Sequence, residues 1–353
     1  MNVLVVNPFG IGDCLFATPL IRTLKEKFPH SALGFLCNRR SATLLKNNPF
    51  IDEIIIYERD DFKQALSISS LNWSDAFISF IRQIKRSKFD LAVDLSLSTN
   101  FGFFLWLAGV KKRIGYSYKN RGFYLTDSIK LSGYEERHIV EYYNALLELI
   151  GIEPRYKNIE LYLKNSDKAY ADDIFKNYNI DTFHPVITIA PGGGASWGID
   201  AKIKRWPREN FRLLTDKIIE KYNATVIILG DLSEAGLFSG EGANNRIINL
   251  IGRTTLLQSA ALIEKSDLFV GNDGGPLHMA VALGKKTVSF FGPVDPTVYG
   301  PYLPEPGRHI VLRRTLECSP CYRRFRLGTC VRNRECLEKI EVEEAIKAID
   351  TLL

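Results

Sequence analysis

The feature that most constrains this chain is a repeated alternation of short, mainly apolar runs with amphipathic stretches. Val3–Val6, Ala32–Cys37, Ile54–Tyr57 and Leu91–Leu95 are rich in Val, Ile and Leu and lack the polar alternation of a half-solvated sheet. Such runs predict strands of a parallel sheet covered on both faces. Helical spacing at Leu15–Phe28 and Phe77–Lys85 separates them, and Glu136–Ile150 is an amphipathic helix stopped by Gly151. The alternation resumes at Val186–Ala190 and runs through Ala224–Leu229, Ile247–Leu250, Leu268–Val270 and Thr287–Phe291. Helical stretches at Glu209–Lys221, Leu256–Glu264 and Leu277–Leu283 fall between these strands. Two βαβ series of similar size predict an α/β protein of two Rossmann-like domains with mostly parallel sheets. The polar stretch Leu163–Thr182, rich in Lys, Asn and Asp, sets the junction between a domain over 1–165 and another over 183–340. A last helix over 341–353 follows, and its expected course is to pack back on the first domain.

Length and charge agree with this division. At 353 residues the chain suffices for about two domains. Its 46 basic against 40 acidic side chains give +6, a mild excess that suits anionic small ligands or an anionic surface rather than nucleic acid. Met1–Val6 enters an apolar run with no basic n-region or cleavage site and reads as a first strand. No apolar stretch approaches the ~20 residues needed to span a bilayer. Phe101–Val110 comes nearest and is expected to be a buried helix. The reading is of a cytoplasmic protein, with contact to a membrane surface left open. Cys14 and Cys37 lie among apolar residues and are expected in the core.

Three glycine-bearing stretches carry the chemistry. Asn7-Pro8-Phe9-Gly10-Ile11-Gly12-Asp13 follows the first strand and opens a helix, so Asp13 sits at the positive end of a helix dipole, which keeps a carboxylate ionised. A plain helix-capping role accounts for it equally well. Leu15 replaces the third glycine of a dinucleotide fingerprint. Pro191-Gly192-Gly193-Gly194-Ala195-Ser196-Trp197 exposes successive N–H groups suited to phosphate, and Lys204 in Lys204-Arg205-Trp206-Pro207 offers a point charge to a diphosphate. A glycine loop beside a solvated basic stretch is the plainer alternative. Gly271-Asn272-Asp273-Gly274-Gly275-Pro276-Leu277-His278 again follows a strand and opens a helix. There Asp273 is suited to sugar hydroxyls, and His278 to the loop or a phosphate; a merely structural histidine is the alternative. No H-E-x-x-H or Walker element occurs.

Cys318, Cys321, Cys330 and Cys336 cluster near the end, the first two as a C-x-x-C knuckle. In a reducing compartment such a set predicts a structural zinc or iron with four protein ligands, or else partly buried free thiols. Around them Arg313, Arg314, Arg323, Arg324, Arg326, Arg332, Arg334 and Lys339 outnumber Glu317, Glu335 and Glu338. The loop is expected to present this charge to an anionic acceptor.

Taken together the stretches resemble glycosyltransferase family 9, the ADP-heptose:lipopolysaccharide heptosyltransferases, over nearly the whole chain. The N-terminal Gly-Ile-Gly-Asp with Thr18-Pro19-Leu20-Ile21-Arg22 is similar to the family's first motif and Lys204-Arg205-Trp206-Pro207 to its central one, as in heptosyltransferase II-like members. Asn272-Asp273-Gly274-Gly275-x-x-His278-x-Ala280, with Phe291-Gly292-Pro293 and Asp295-Pro296, is similar to its donor signature. The resemblance implies the GT-B fold of two facing Rossmann-like domains and inverting transfer of a heptose from ADP-heptose, without a required cofactor. The implied acceptor is an anionic glycolipid of the lipopolysaccharide inner core, with a protein or other glycan as alternative. It further implies Asp13 as general base, Lys204 on the donor diphosphate with the N–H groups of Gly274 and Gly275, and Asp273 on heptose hydroxyls. His278 would support the phosphate site, Glu234 the adenosine ribose and Thr254 the adenine, with Ser196 a further phosphate contact. Gly274 departs from the Ser or Thr of many members and removes a hydroxyl contact. A nucleotide-sugar epimerase or phosphorylase of the same fold, a nicotinamide oxidoreductase and a nucleic-acid module built on the basic cysteine segment are the competing classes.

Overall fold

The computed structural model describes residues 1–353 except 156, 194, 239–244 and 303–306, and except the side chains of 195, 196 and 199. The chain divides into two compact units, Met1–Lys157 and Asn158–Leu353.

The first unit holds a six-stranded parallel sheet made of β1 (Val3–Val6), β2 (Leu33–Cys37), β3 (Glu53–Ile56), β4 (Leu91–Asp94), β5 (Lys112–Tyr118) and β6 (Asp127–Leu131), in the order β3-β2-β1-β4-β5-β6. Its central strands β1, β2 and β4 are buried along their whole length, which is why their sequences lack alternation. Leu4, Val6, Leu36, Ala92, Phe101 and Leu105 pack together on one face. The segment around Phe101 is the helix Thr99–Leu107, and it is buried on one side only: Trp106 is 52% and Leu107 41% exposed, contrary to the expected buried helix. Glu136–Ile150 resolves into a helix Ile139–Ala145 and a tighter turn Leu146–Ile150, closed by Gly151 at φ 71°.

The second unit repeats the plan with β7 (Val186–Ala190), β8 (Thr225–Ile228), β9 (Ile247–Asn249), β10 (Leu268–Asn272), β11 (Lys286–Phe290) and β12 (His309–Leu312). Its sheet runs β9-β8-β7-β10-β11-β12, the same strand order as the first unit shifted by one series, and is parallel throughout. The polar stretch after Leu163 is no linker. It forms the helix Asn165–Asn177, which buries only Ala171 and Phe175 and lies on the helix Leu256–Lys265. Lys168–Glu264 and Lys265–Asp172 ion pairs flank that narrow contact, so the helix carries little apolar signal. The last helix, Val342–Leu352, also belongs to this unit. Val342, Ala345, Ile349 and Leu352 enter the core that contains Trp206, Phe211 and Phe290. Among the described residues no helix is long and apolar enough to cross a membrane.

Candidate active site

In both sheets the strand order reverses direction between the first and fourth strands of the series, and open parallel sheets bind ligands at that crevice. In the second unit it lies between the ends of β7 and β10, where Ala190 pairs with Gly271. Asn272, at the end of β10, joins the surrounding segments. Its Nδ2 donates to the carbonyls of Pro191 at 2.8 Å and Gly192 at 2.9 Å, while its Oδ1 accepts the Trp206 N–H at 2.8 Å. One buried amide thus ties the glycine loop, the Lys204–Pro207 stretch and the β10 turn together. Trp206 is anchored beneath by stacking on Phe290 at 4.1 Å and by its indole N–H on the Ile340 carbonyl.

The charged groups converge on this knot. Lys204 Nζ lies 2.6 Å from Asp273 Oδ2, and His278 Nε2 lies 3.7 Å from Asp273 Oδ1. All three side chains are more than nine-tenths buried. Burial alone would raise the Asp273 carboxyl, but Lys204 and His278 outweigh it and hold it below the ordinary carboxylate range. The Trp197 ring lies 4.5 Å from Lys204 Nζ, a second stabilising contact for the ammonium. Asp273 and Lys204, expected on different parts of a ligand, are therefore one ion pair in this structure.

Glu234 stands at the other side of the glycine loop, in the short helix Leu232–Leu237. Its Oε1 accepts the Gly193 N–H at 3.2 Å and lies 3.4 Å from Arg205 Nη2; its Oε2 accepts the Asp231 N–H at 3.0 Å. A Cβ on Gly192 would come within 2.1–2.3 Å of this carboxylate, so glycine is required there by close approach. The Gly193 N–H, expected to be open to phosphate, is taken by Glu234. Gly274 caps and Gly275 begins the helix Gly275–Ala282, whose N-terminus therefore lies beside Asp273. Thr254 precedes the helix Leu256–Lys265, and its hydroxyl is 2.7 Å from that of Ser259. The Ser196 side chain lies outside the described residues.

The cysteine segment borders the same region. Arg334 donates to the carbonyls of Lys202 and Arg205, each at 3.1 Å, and Tyr322 packs on Trp197 at 5.0 Å. Between the thiols runs a small antiparallel pair, β13 (Tyr322–Arg323) and β14 (Arg326–Leu327). The four sulfurs have different surroundings: Cys318 and Cys330 are exposed, Cys330 accepts the Arg334 N–H at 3.2 Å, and Cys336 packs against the core. Burial first, then the neighbouring thiols, pushes Cys336 up to about 11. Among the described residues no three Cys, His, Asp or Glu side chains are placed to hold a metal ion, so the expected structural zinc or iron has no support here. Nor is all the basic charge of this segment presented outward. Arg313, Arg314, Arg332, Arg334 and Lys339 pair with Asp295, Glu344, Glu317, Glu338 and Glu335 respectively.

The crevice of the first unit lies between β1 and β4, where Val6 pairs with Asp94. Asp13 is the third residue of the helix Ile11–Phe16, and its Oδ2 accepts the Gly10 N–H at 3.2 Å, the geometry of a helix cap. Asn7 holds the turn by donating to the Asp13 carbonyl at 3.0 Å. Sequence reasoning missed Asp94 and Tyr134. Asp94 ends β4, is buried, and accepts the Ser96 N–H at 2.9 Å; burial pushes its carboxyl up to about 6. The Tyr134 phenol is raised by burial first, then by Tyr116, Asp13, Tyr142 and Asp94, which places both carboxylates within its electrostatic reach. The signal was an acid at a strand's carboxyl end inside an otherwise apolar run. Cys14 and Cys37 are buried as expected.

The fold has known counterparts. A family model described as glycosyltransferase family 9 (heptosyltransferase) matches residues 77–330. The chain is 24% identical to lipooligosaccharide heptosyltransferase 2 of Campylobacter jejuni, over 100% of this chain and 98% of that one. The structure of ADP-heptose lipopolysaccharide heptosyltransferase II from E. coli matches with a TM-score of 0.76 at 21% identity, covering 100% of this chain and 98% of that one. A family 9 glycosyl transferase from Veillonella parvula matches with a TM-score of 0.82 at 20% identity, covering 99% and 96%. The two structural likenesses establish the GT-B fold. With well over half of its length matched by the family model, the chain belongs to glycosyltransferase family 9, the heptosyltransferases.

Proposed function

We propose that this enzyme transfers a heptose from ADP-heptose to a hydroxyl of a lipopolysaccharide inner-core acceptor, with inversion at the anomeric carbon. The observation that carries the reading is the buried Lys204–Asp273–His278 cluster at the β7/β10 crevice, joined by Asn272 to the Glu234-bearing glycine loop. A donor with a diphosphate brings its own negative charge to Lys204 and takes the place of the Asp273 carboxylate. Asp273, so released, becomes an acceptor for sugar hydroxyls. Glu234 is suited to the ribose hydroxyls, Thr254 to the adenine edge through its backbone, and Ser196 to a phosphate oxygen.

In the reaction the acceptor oxygen forms a bond to the anomeric carbon as the bond from that carbon to the β-phosphate oxygen breaks. The electron pair leaves with ADP, and the acceptor proton passes to Asp13. Lys204 and the N–H groups of Gly274 and Gly275 stabilise the charge that grows on the diphosphate. A carboxylate base suffices when the sugar carbon is already cation-like as the proton departs. The E. coli and C. jejuni relatives, named for ADP-heptose, lipopolysaccharide and lipooligosaccharide, support the choice of donor and acceptor.

A panel of nucleotide-sugars, each with and without a lipid-linked inner-core acceptor, tests the reading. ADP release is expected only with ADP-heptose and acceptor together, and nuclear magnetic resonance of the product should show the inverted anomer. Epimerisation or phosphorolysis of donor without acceptor would overturn it.

A further inference from the structure

Between residues 103 and 130 the chain carries six Lys or Arg and a single acid, Asp127. Asp127 is already paired with Lys112 at 2.8 Å. On this basic stretch the aromatic side chains gather about Tyr124: Phe103 at 5.3 Å, Trp106 at 5.8 Å and Phe123 at 5.1 Å between ring centroids. The gathering is built in. Tyr124 Cβ would lie 3.1 Å from a side chain at Gly102, so glycine there admits the ring to the helix. Arg113 fixes the two limbs to each other, donating to the Tyr124 carbonyl at 2.6 Å and to those of Val110 and Lys111.

The cluster nevertheless turns outward. Trp106 is 52% exposed and Phe123 82%. Exposed Lys111, Lys119 and Arg121 stand in the same two limbs, and the last two reach over the Tyr118 ring. Apolar side chains are also exposed around the helices Arg59–Ile68 and Ser70–Arg86, notably Leu66, Ile68 and Leu71. Between residues 58 and 75, however, Glu58, Asp60, Asp61 and Asp75 outnumber Arg59 and Lys63, and Lys63 is already paired with Asp60, so that stretch carries no excess of positive charge to meet an anionic surface.

We infer that the Trp106–Phe123 surface docks the enzyme on an anionic phospholipid bilayer. Amphipathic rings settle at the headgroup boundary, and lysine and arginine beside them meet the negative lipid charge. The surface has the composition of an interfacial anchor and lies on helix and loop that the sheet holds in place. The inference rests on the proposed lipid-linked acceptor for its purpose, but its chemistry is independent of the donor site.

Flotation of the full-length protein with phosphatidylcholine vesicles, with and without about one phosphatidylglycerol in four lipids, tests it. Binding is expected to the anionic vesicles and to weaken as salt is raised. Each cation near the surface contributes about fivefold in partition, so Lys119→Gln/Arg121→Gln should lose roughly 25-fold. Trp106→Ser/Phe123→Ser should lose at least about tenfold. ADP affinity by calorimetry should stay at the wild-type value in both variants, which separates loss of docking from misfolding or failure of the transferase reading. Wild-type protein that stays off anionic vesicles, or variants that float as it does, would overturn the inference. So would single-stranded RNA that binds the wild type and is lost with the same variants while the vesicles are ignored.

Discussion

The two sheets share one strand order but treat charge at their crevices in opposite ways. In the second unit the two acids described at the switch point each have a cation beside them: Asp273 has Lys204 and His278, and Glu234 has Arg205. In the first unit Asp94 is as deeply buried as Asp273, yet its described partner is the N–H of Ser96, and its carboxyl is raised rather than lowered. The same topology therefore supports a neutralised, internally paired pocket and a pocket whose acids accept backbone N–H groups. A fold specifies where a site lies; the side chains specify its charge state.

The largest expected effect tests the acid side of this contrast. Asp13→Asn should lower turnover about a thousandfold while leaving ADP affinity nearly unchanged, because the base acts on the acceptor. Steady-state kinetics with parallel calorimetry would show it, and near-normal turnover would remove Asp13 from the chemistry.

The paired side should break differently. Lys204→Ala leaves the buried Asp273 carboxylate with His278 as its one described partner and should cost about 3 kcal/mol of stability in denaturant titration. It should also weaken ADP by about tenfold or more. Asp273→Ala should not weaken ADP at all, since it removes the competitor for Lys204. The double variant should regain part of the stability but none of the ADP affinity. Additive stability losses would show that the pair is not coupled.

Asp94 gives the third test, and its sign follows from the raised carboxyl. The folded form holds its proton up to about 6, above the ordinary aspartate value, so the native state binds more protons between about pH 4 and pH 6. Stability from this group is present at low pH and lost as pH rises through that window, by about 3 kcal/mol at most. Asp94→Asn should flatten the fall. Unchanged pH profiles of wild type and variant would show that burial is not acting on this carboxyl.

The smallest effect contrasts the thiols. With protein purified without chelator, Cys318 and Cys330 should react at once with a thiol reagent, whereas Cys14 and Cys37 should react only on unfolding. Protection of Cys318 and Cys330 that is released by chelator would restore the metal reading.

Much of the architecture was legible because buried parallel strands announce themselves. β1, β2, β4, β7, β8 and β10 are continuous apolar runs whose side chains face helices on both sides. β5, β6 and β12 were missed: Lys112 and Arg113 open the first, and the other two are half-buried edge strands. The helix Asn165–Asn177 was hidden because its contact is two apolar residues wide. At the site, the glycine stretches and their acids were visible as local patterns after strands. The Lys204–Asp273 pairing and the Asn272 knot were not, because each joins segments far apart in the chain, and no local spacing encodes which charges will meet.

The Lys204–Asp273 pair also bears on how ligand arrives. An empty anion site in water ordinarily holds a loose cloud of mobile counter-ions, and filling it expels them into bulk solution. Here the counter-ion is a side chain of the protein, 2.6 Å away and excluded from solvent. Under the proposed donor role, binding a diphosphate becomes an internal exchange of one carboxylate for a phosphate. Few free ions change place, so affinity should be set by the fit of the exchange far more than by the salt around it.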